Sequence, residues 1–452
     1  VADAAKIRHV ISIIREEAKG GLCVVFSAMK GITDDLITAA KNAEEGRADY
    51  RDIIAHIRAR QERAVEGLLP EPERKKALAP LRARCDELLD ILHGIELVKE
   101  CTPRSLDLVM SFGERLNCRL IASAMAAKGM RASYCDARSL IVTDDHYGSA
   151  RVAFAPSYKK MKRRLASARG IAVVTGFIGA TADGVTTTLG RNGSDYTAAL
   201  LAAGLEAERL EVWKDVDGVL SADPGVVKEA FVIDEVSYEE AMEMSFFGAE
   251  VIHPSTMGPV LEKGIPLWVK NTLNPAVRGT RIARDIRRHS WPITSIASVG
   301  NVALINVEGS GMRGTPGIAS RVFSVLAKAD ANVIMISQAS SEHSICIIVR
   351  ADQAKKALAG LKEEFSRELG ARQIENFQLL KDLEIVAVIG ENMRGTPGLS
   401  GRLFSALGDK KINVLAIAQG SSERNISFVV AGKDAREAIT AVHRAFFGRG
   451  KK

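Results

Sequence analysis

Cysteine is sparse and unpaired in this chain. Six lie among 452 residues, at Cys23, Cys85, Cys101, Cys118, Cys135 and Cys346, with no Cys-x-x-Cys pair. That spacing excludes a disulfide scaffold or a zinc ribbon and reads as the reduced, buried thiols of a cytosolic protein. No apolar run reaches the roughly 20 residues of a membrane helix, and no signal-peptide pattern is visible, so no membrane association is expected. Basic residues outnumber acidic ones, 62 to 55, for a net charge of +7. No basic stripe interleaved with aromatics appears, so no nucleic-acid partner is expected. Runs such as Tyr158–Arg164 read as solvated helix faces, and the surplus charge suits small anionic substrates. There is no GxxxxGK[ST] loop, no HExxH, no protein-kinase motif set and no cluster with metal-ligand spacing. P-loop, zincin and protein-kinase chemistries are thereby excluded, and no resident metal is expected.

What is present is a repeat. Met312-Arg-Gly-Thr-Pro-Gly317 returns as Met393-Arg-Gly-Thr-Pro-Gly398, 81 residues on. Arg321-Val-Phe-Ser returns as Arg402-Leu-Phe-Ser, Asn332-Val as Asn413-Val, and Gln338-Ala-Ser-Ser-Glu342 as Gln419-Gly-Ser-Ser-Glu423, all at the same offset. One register held this long marks a duplicated domain. The expected strands are Ala303–Val307, Asn332–Ser337 and Ser344–Val349, then Glu384–Val388, Asn413–Ala418 and Asn425–Val430. With the intervening helices each copy fits a ferredoxin-like βαββαβ unit. The Gly-Thr-Pro-Gly turn feeds a helix whose first N–H groups point outward. Two readings stay open: paired sites for a small anion or zwitterion, or a purely structural dimerisation unit.

Upstream, apolar strands alternate with amphipathic helices. Gly21–Phe26, Ile171–Thr175, Leu210–Trp213 and Pro266–Lys270 are expected strands; Leu106–Lys128 and Asp195–Ala203 are expected helices. The alternation predicts a mostly parallel sheet sandwiched by helices, with ligands at the strands' carboxyl ends. Residues 44–100 read as a charged helical excursion jointed at Leu69-Pro-Glu-Pro72. Leu189-Gly-Arg-Asn-Gly-Ser-Asp-Tyr-Thr197 aims Arg191 and a helix start, expected to be capped by Ser194 or Asp195, at an anion; the alternative is an ordinary capped loop. Gly176-Phe-Ile-Gly179 forms a second glycine turn on the same edge. Trp213-Lys-Asp-Val-Asp-Gly218 follows a strand but lacks the spacing of a calcium loop, which leaves a nucleotide contact. Glu114 lies about 140° off its helix's apolar stripe, so it reads either as a ligand for an amine or as a surface glutamate. His253 reads as a structural histidine.

Taken together, Phe26-Ser-Ala-Met-Lys-Gly-Ile-Thr33, Ser111-Phe-Gly-Glu114, Leu189–Tyr196, Trp213–Gly218, Glu240-Ala-Met-Glu-Met244, Phe247-Gly-Ala-Glu-Val-Ile-His-Pro254 and Val269-Lys-Asn-Thr272 resemble the aspartate kinases, over essentially the whole chain. The resemblance implies an α/β amino acid kinase fold at 1–290, with ferredoxin-like ACT domains at 295–380 and 381–452. It implies phosphorylation of the β-carboxylate of L-aspartate by ATP with Mg²⁺. In this reading Ser27 and Thr33 line the aspartate pocket, Glu114 pairs with the substrate ammonium, Arg191 holds a carboxylate, and Asp195 organises the catalytic centre. Lys214, Asp215, Asp217, Gly218, Asp223 and Pro224 cradle the nucleotide. Glu250 stands where many members have a phosphate-contacting lysine. Members carry Lys-Phe-Gly-Gly-Thr-Ser immediately before the segment that here starts at Val1. Without that strand and its lysine the chain as written is expected to be impaired, and a start inside a longer gene product fits the missing methionine.

The repeats resemble ACT domains of threonine-sensitive members, which implies effector binding by Met312, Gly317, Asn332, Gln338, Asn413 and Gln419, with threonine favoured over lysine and a homodimer or higher oligomer built by the ACT pair. No dinucleotide fingerprint follows the second repeat, so a monofunctional chain is expected rather than one continuing into homoserine dehydrogenase. The competing reading is a catalytically silent amino-acid-binding regulator.

Overall fold

A computed structural model describes residues 1–17, 21–165, 170–247, 252–287, 290–312, 314–338 and 343–448. The chain divides into two compact units, one formed by 1–217 with 252–284, the other by 218–251 with 285–452.

In chain order the first unit opens with α1 (Ala4–Glu17), β1 (Leu22–Phe26), α2 (Ile32–Glu44), α3 (Tyr50–Leu68), α4 (Glu71–Val98) and α5 (Pro103–Ala127). Next come β2 (Ala132–Cys135), β3 (Val142–Thr143), α6 (Phe154–Leu165), β4 (Ile171–Thr175), β5 (Ile178–Thr181), β6 (Thr186–Thr188), α7 (Gly193–Leu205) and β7 (Leu210–Lys214). After β8 (Glu235–Ser237) and α8 (Tyr238–Phe246), which belong to the second unit, the first resumes with α9 (Pro254–Lys263), β9 (Leu267–Asn271) and β10 (Thr280–Ala283). The fully buried β4 lies between β1 and β2, parallel to both. β7 pairs with β9 in parallel, as the strand–helix alternation predicts. The charged excursion is a helical layer: α3 and α4, broken at Leu69-Pro70, pack on α2 and α5 around Ile54, Ile57, Cys85, Leu88 and Phe112. His253 caps α9, its Nδ1 accepting the Ser255 N–H at 3.3 Å.

The second unit continues with β11 (Ser295–Glu308), α10 (Ile318–Lys328), β12 (Val333–Gln338), β13 (Ser344–Arg350), α11 (Ala351–Glu364), α12 (Ser366–Gly370), β14 (Asn376–Ile389), α13 (Leu399–Gly408), β15 (Ala416–Gln419), β16 (Asn425–Ala431) and α14 (Gly432–Phe447). The repeat is written in its backbone. Positive φ recurs 81 residues apart at Asn301 and Asp382, Gly317 and Gly398, and Asp330 and Lys411. At Gly317 and Gly398, φ of 90° and 85° immediately precedes α10 and α13, a conformation that costs glycine nothing.

β11 and β14 are each far longer than the sequence suggested. One six-stranded sheet runs β12-β13-β11-β14-β16-β15. Residues 302–308 of β11 pair with β13 and residues 383–389 of β14 with β16, while 295–299 and 376–380 pair only across to the other module. Register shifts separate the halves between Val299 and Leu304. Each module therefore takes its fourth strand from the other's leading strand. The two cores reflect this: Ile296 sits with Val386 and Phe428, and Phe377 with Ile305 and Ile347. Residue 381 falls inside β14. Residues 218–247 also belong here: Ser221 Oγ lies 3.0 Å from His443 Nε2 and accepts the Phe231 N–H at 3.1 Å. Burial holds the His443 pKa below its usual value.

Candidate active site

Helix α5 builds one wall. Pro103 occupies its first turn, and Thr102 Oγ1 accepts the Ser105 N–H at 3.1 Å as the cap. Its residues from Val109 to Cys118 are buried on every side, so an angular offset from one stripe does not bring a side chain to solvent. Glu114 is 2 % exposed, which overturns the surface-glutamate alternative. Its Oε1 accepts the Ala28 N–H at 3.2 Å, and its Oε2 has no partner. Burial raises the carboxyl pKa to about 7, with the Ala28 hydrogen bond opposing the rise. A buried carboxylate with one orphan oxygen is suited to a cation that arrives with a ligand.

The end of β1 faces α5. Asn117, one turn after Glu114, donates from Nδ2 to the Ser27 carbonyl at 2.6 Å and keeps an unpartnered Oδ1. Sequence reasoning did not single out Asn117, although its position three residues after Glu114 places both on one helix face. Ser27 Oγ donates to Ser194 Oγ at 2.7 Å. Thr33 lies half-buried in the first turn of α2.

Glycine makes the Ser27–Ser194 approach possible. A Cβ on Gly176, the residue after β4, would sit 2.4 Å from Ser194 Oγ and 2.9 Å from Ser194 Cα. The start of α7 therefore lies directly against the strand end. The expected cap differs: α7 begins at Gly193 after Asn192, which adopts φ 55° and makes no side-chain cap. Ser194 and Asp195 lie in the first turn with side chains that cap nothing and turn to other partners, Ser194 Oγ to Ser27 and Asp195 Oδ2 to Lys214 Nζ, from which it accepts at 2.9 Å. Arg191, in the exposed turn before α7, has no partner for its guanidinium among the described residues. Asp107 was also missed. Its buried carboxylate accepts from the Gly148 N–H, the Thr188 N–H and the Thr188 hydroxyl, the last at 2.7 Å. It ties α5 to β6 and hence to the turn that carries Arg191.

On the strand side, Asp215 is exposed and Asp217 Oδ1 accepts from Asn271 Nδ2 at 2.8 Å. Thr272 N–H and Oγ1 both donate to the Lys214 carbonyl, at 2.8 and 2.7 Å. Gly218, Asp223 and Pro224 belong to the second unit, where Asp223 closes a turn by accepting the Gly225 N–H at 2.8 Å. Glu250 lies outside the described residues.

The Amino acid kinase family profile matches residues 1–271, and the ACT domain profile matches 305–365 and 386–446. Aspartokinase 1 of Arabidopsis thaliana, a chloroplastic protein, is 32 % identical over 469 residues, covering all of this chain and 79 % of its own length. The chain belongs to the aspartokinases. Aspartokinase III of E. coli, solved in complex with aspartate and ADP, superposes with a TM-score of 0.79 at 28 % identity, with 99 % of this chain and 97 % of that one covered. The bifunctional aspartokinase/homoserine dehydrogenase 1 of A. thaliana is 36 % identical over 99 % of this chain but only 50 % of its own length. The chain spans about half the length of the bifunctional relatives it matches.

Within this aspartokinase the residues expected to bind an effector lie in the second unit. Gln338 and Gln419 are exposed at the ends of β12 and β15, the two edges of the six-stranded sheet. Those edges meet, with Ser337 Oγ donating to the Ile417 carbonyl at 2.9 Å. Asn332 and Asn413 are exposed and Gly317 starts α10, whereas Met312 is buried in its module's core. The neighbouring residues 339–342 lie outside the described residues. No cluster of three or more metal-ligating side chains occurs among the described residues, and no helix among them is long and apolar enough to cross a membrane.

Proposed function

We propose that this chain carries aspartate kinase activity, transferring the γ-phosphoryl group of ATP to the β-carboxylate of L-aspartate. The observation that carries the reading is the orphan oxygen of Glu114, placed across from Ser27 and in the same unit as the unpartnered Arg191 and the Lys214–Asp195 pair. Substrate aspartate offers a complementary set of charges. Its ammonium goes to Glu114 and its α-carboxylate to Arg191, which leaves the β-carboxylate free. That oxygen attacks the γ-phosphorus while the bond to the bridging oxygen of ADP breaks, and the products are 4-phospho-L-aspartate and ADP. Two anions approach each other in this reaction, so fixing the acceptor and countering developing charge supply the catalysis. Lys214 is the cation available for the second task, held in place by Asp195. Asp215 and Asp217, which follow Lys214 in the first unit, are proposed to contact the nucleotide. With no three-ligand cluster among the described residues, the residues fit a magnesium ion that arrives with the phosphates and keeps mostly phosphate and water ligands; when bound it adds charge neutralisation.

The ACT pair is proposed to bind threonine in preference to lysine, through Gln338 and Gln419, and to join two copies of the chain. A side-chain amide both donates and accepts, which suits a hydroxyl-bearing amino acid. The E. coli aspartokinase III solved with lysine and aspartate keeps lysine as the competing effector. The pathway proposed is synthesis of the aspartate-derived amino acids lysine, threonine and methionine. Six free cysteines support a reducing compartment, the cytoplasm or, as for the plant relatives, the chloroplast.

The test is L-aspartate-dependent ADP release from MgATP, measured on the chain within its natural flanking sequence, with threonine or lysine added. Activity suppressed by threonine is the expected result. Suppression by lysine alone overturns the effector assignment. A folded protein with no activity overturns the kinase reading and leaves the silent regulator.

A further inference from the structure

Away from these residues, the first unit has a cleft of about 140 Å³ between α4, α5 and β2. Leu81, Leu116 and Leu120 supply apolar surface, and Lys76, Arg84, Arg115, Arg119 and Arg138 are the basic residues of the lining, with Asp136 the one acid among the described lining residues. Asp136 is already engaged: Arg138 grips it with Nε at 3.0 Å and Nη2 at 2.7 Å. Arg84 is engaged with Glu87. Lys76 and Arg119 have no carboxylate partner among the described residues, and Arg119 is held by stacking, 4.5 Å from the centroid of the Tyr134 ring.

Arg115 is the unusual member. Its side chain is only 8 % exposed, its nearest carboxylate is Glu87 at 3.7 Å, and its Nη1 has no hydrogen-bond partner. It stacks on Phe112 at 4.4 Å from the ring centroid, so its guanidinium is held in one place. Burial, followed by the positive charge of Arg138, lowers its pKa. Burying a cation with an open donor beside other unpaired cations is costly unless an anion completes the set. An arginine fork is suited to phosphate and carboxylate oxygens.

We propose that this cleft is a binding site for a small organic anion, with a phosphate or carboxylate head on Arg115, Arg119 and Lys76 and an apolar body against Leu116 and Leu120. The site is separate from the aspartate pocket and stands whether or not the kinase reading does. Arg115 adjoins Glu114 in sequence, so one helix carries both sites.

Isothermal titration with phenyl phosphate at constant ionic strength tests the proposal. The expected result is saturable binding with Kd of about 1 mM or tighter, weakened about tenfold or more by Arg115→Met and by Arg119→Ser and unchanged by Arg191→Ala. Arg119 is exposed, so its variant decides the matter if Arg115→Met does not fold. No saturation by about 10 mM, or binding lost in Arg191→Ala and kept in the Arg119 variant, overturns the proposal.

Discussion

Replacing Glu114 by Gln separates the charge of that buried group from its shape. The amide oxygen still accepts the Ala28 N–H, so the packing of α5 against β1 is preserved. Only the titration is lost. In the folded protein the carboxyl keeps its proton up to about pH 7 rather than the ordinary 4.5. Between those values the native state binds more protons than the unfolded chain, so its stability falls as pH rises through that window. The integrated loss is about 3 kcal/mol by pH 8, several degrees in melting temperature at about 2–4 °C per kcal/mol. Thermal unfolding of the ligand-free protein from pH 5 to 8.5 measures it. Wild type is expected to lose ground steadily to Glu114→Gln between pH 5 and 7.5. Aspartate binding at pH 7 is expected to release about half a proton, seen as a dependence of titration heat on buffer ionisation and absent in the variant. Parallel melting curves for the two proteins would refute both the buried titration and the ammonium-pairing role built on it.

Three further outcomes follow from the same geometry. Arg191→Ala raises KM for aspartate by about tenfold or more while KM for ATP changes little; equal effects in steady-state kinetics would remove its assignment to the substrate carboxylate. Gln338→Ala and Gln419→Ala each shift the threonine inhibition curve about tenfold to higher concentration without lowering uninhibited turnover, and unchanged curves in both place the effector elsewhere. Gly176→Ala pushes β4 against Ser194 and destabilises the first unit by about 1–3 kcal/mol, read by denaturant unfolding.

The repeat, the strand–helix alternation and most strand positions were readable because each rests on local periodicity or on an 81-residue register. The burial of Glu114 was not. Periodicity reports one apolar stripe, whereas α5 is enclosed by α2, α4 and the sheet, so its polar face is inside too. The length of β11 was also hidden. Gly300-Asn301 looks like a turn, and Asn301 does adopt φ 57°, but the sheet continues across it as an irregularity. The start of α7 shifted because Ser194 and Asp195 find partners in Ser27 and Lys214, contacts distant in sequence that compete with capping. Asn117 and Asp107 carry no motif of their own, and only the hydrogen bonds they make mark them.

The exchanged strands of the C-terminal unit bear on how it was built and how it can be rebuilt. A gene duplication ordinarily yields cassettes that can be excised or shuffled. Here a cut at residue 380 leaves either half one strand short, with a raw edge in place of a finished sheet. Neither copy matures before the other has been synthesised, so the pair is expected to melt in one transition. An effector that tightens one module stiffens the sheet that completes its sibling. Designers wishing to move this pair onto another protein should keep residues 290 to 448 as one piece and supply a cover for the core that Ala222 and Val227 fill here.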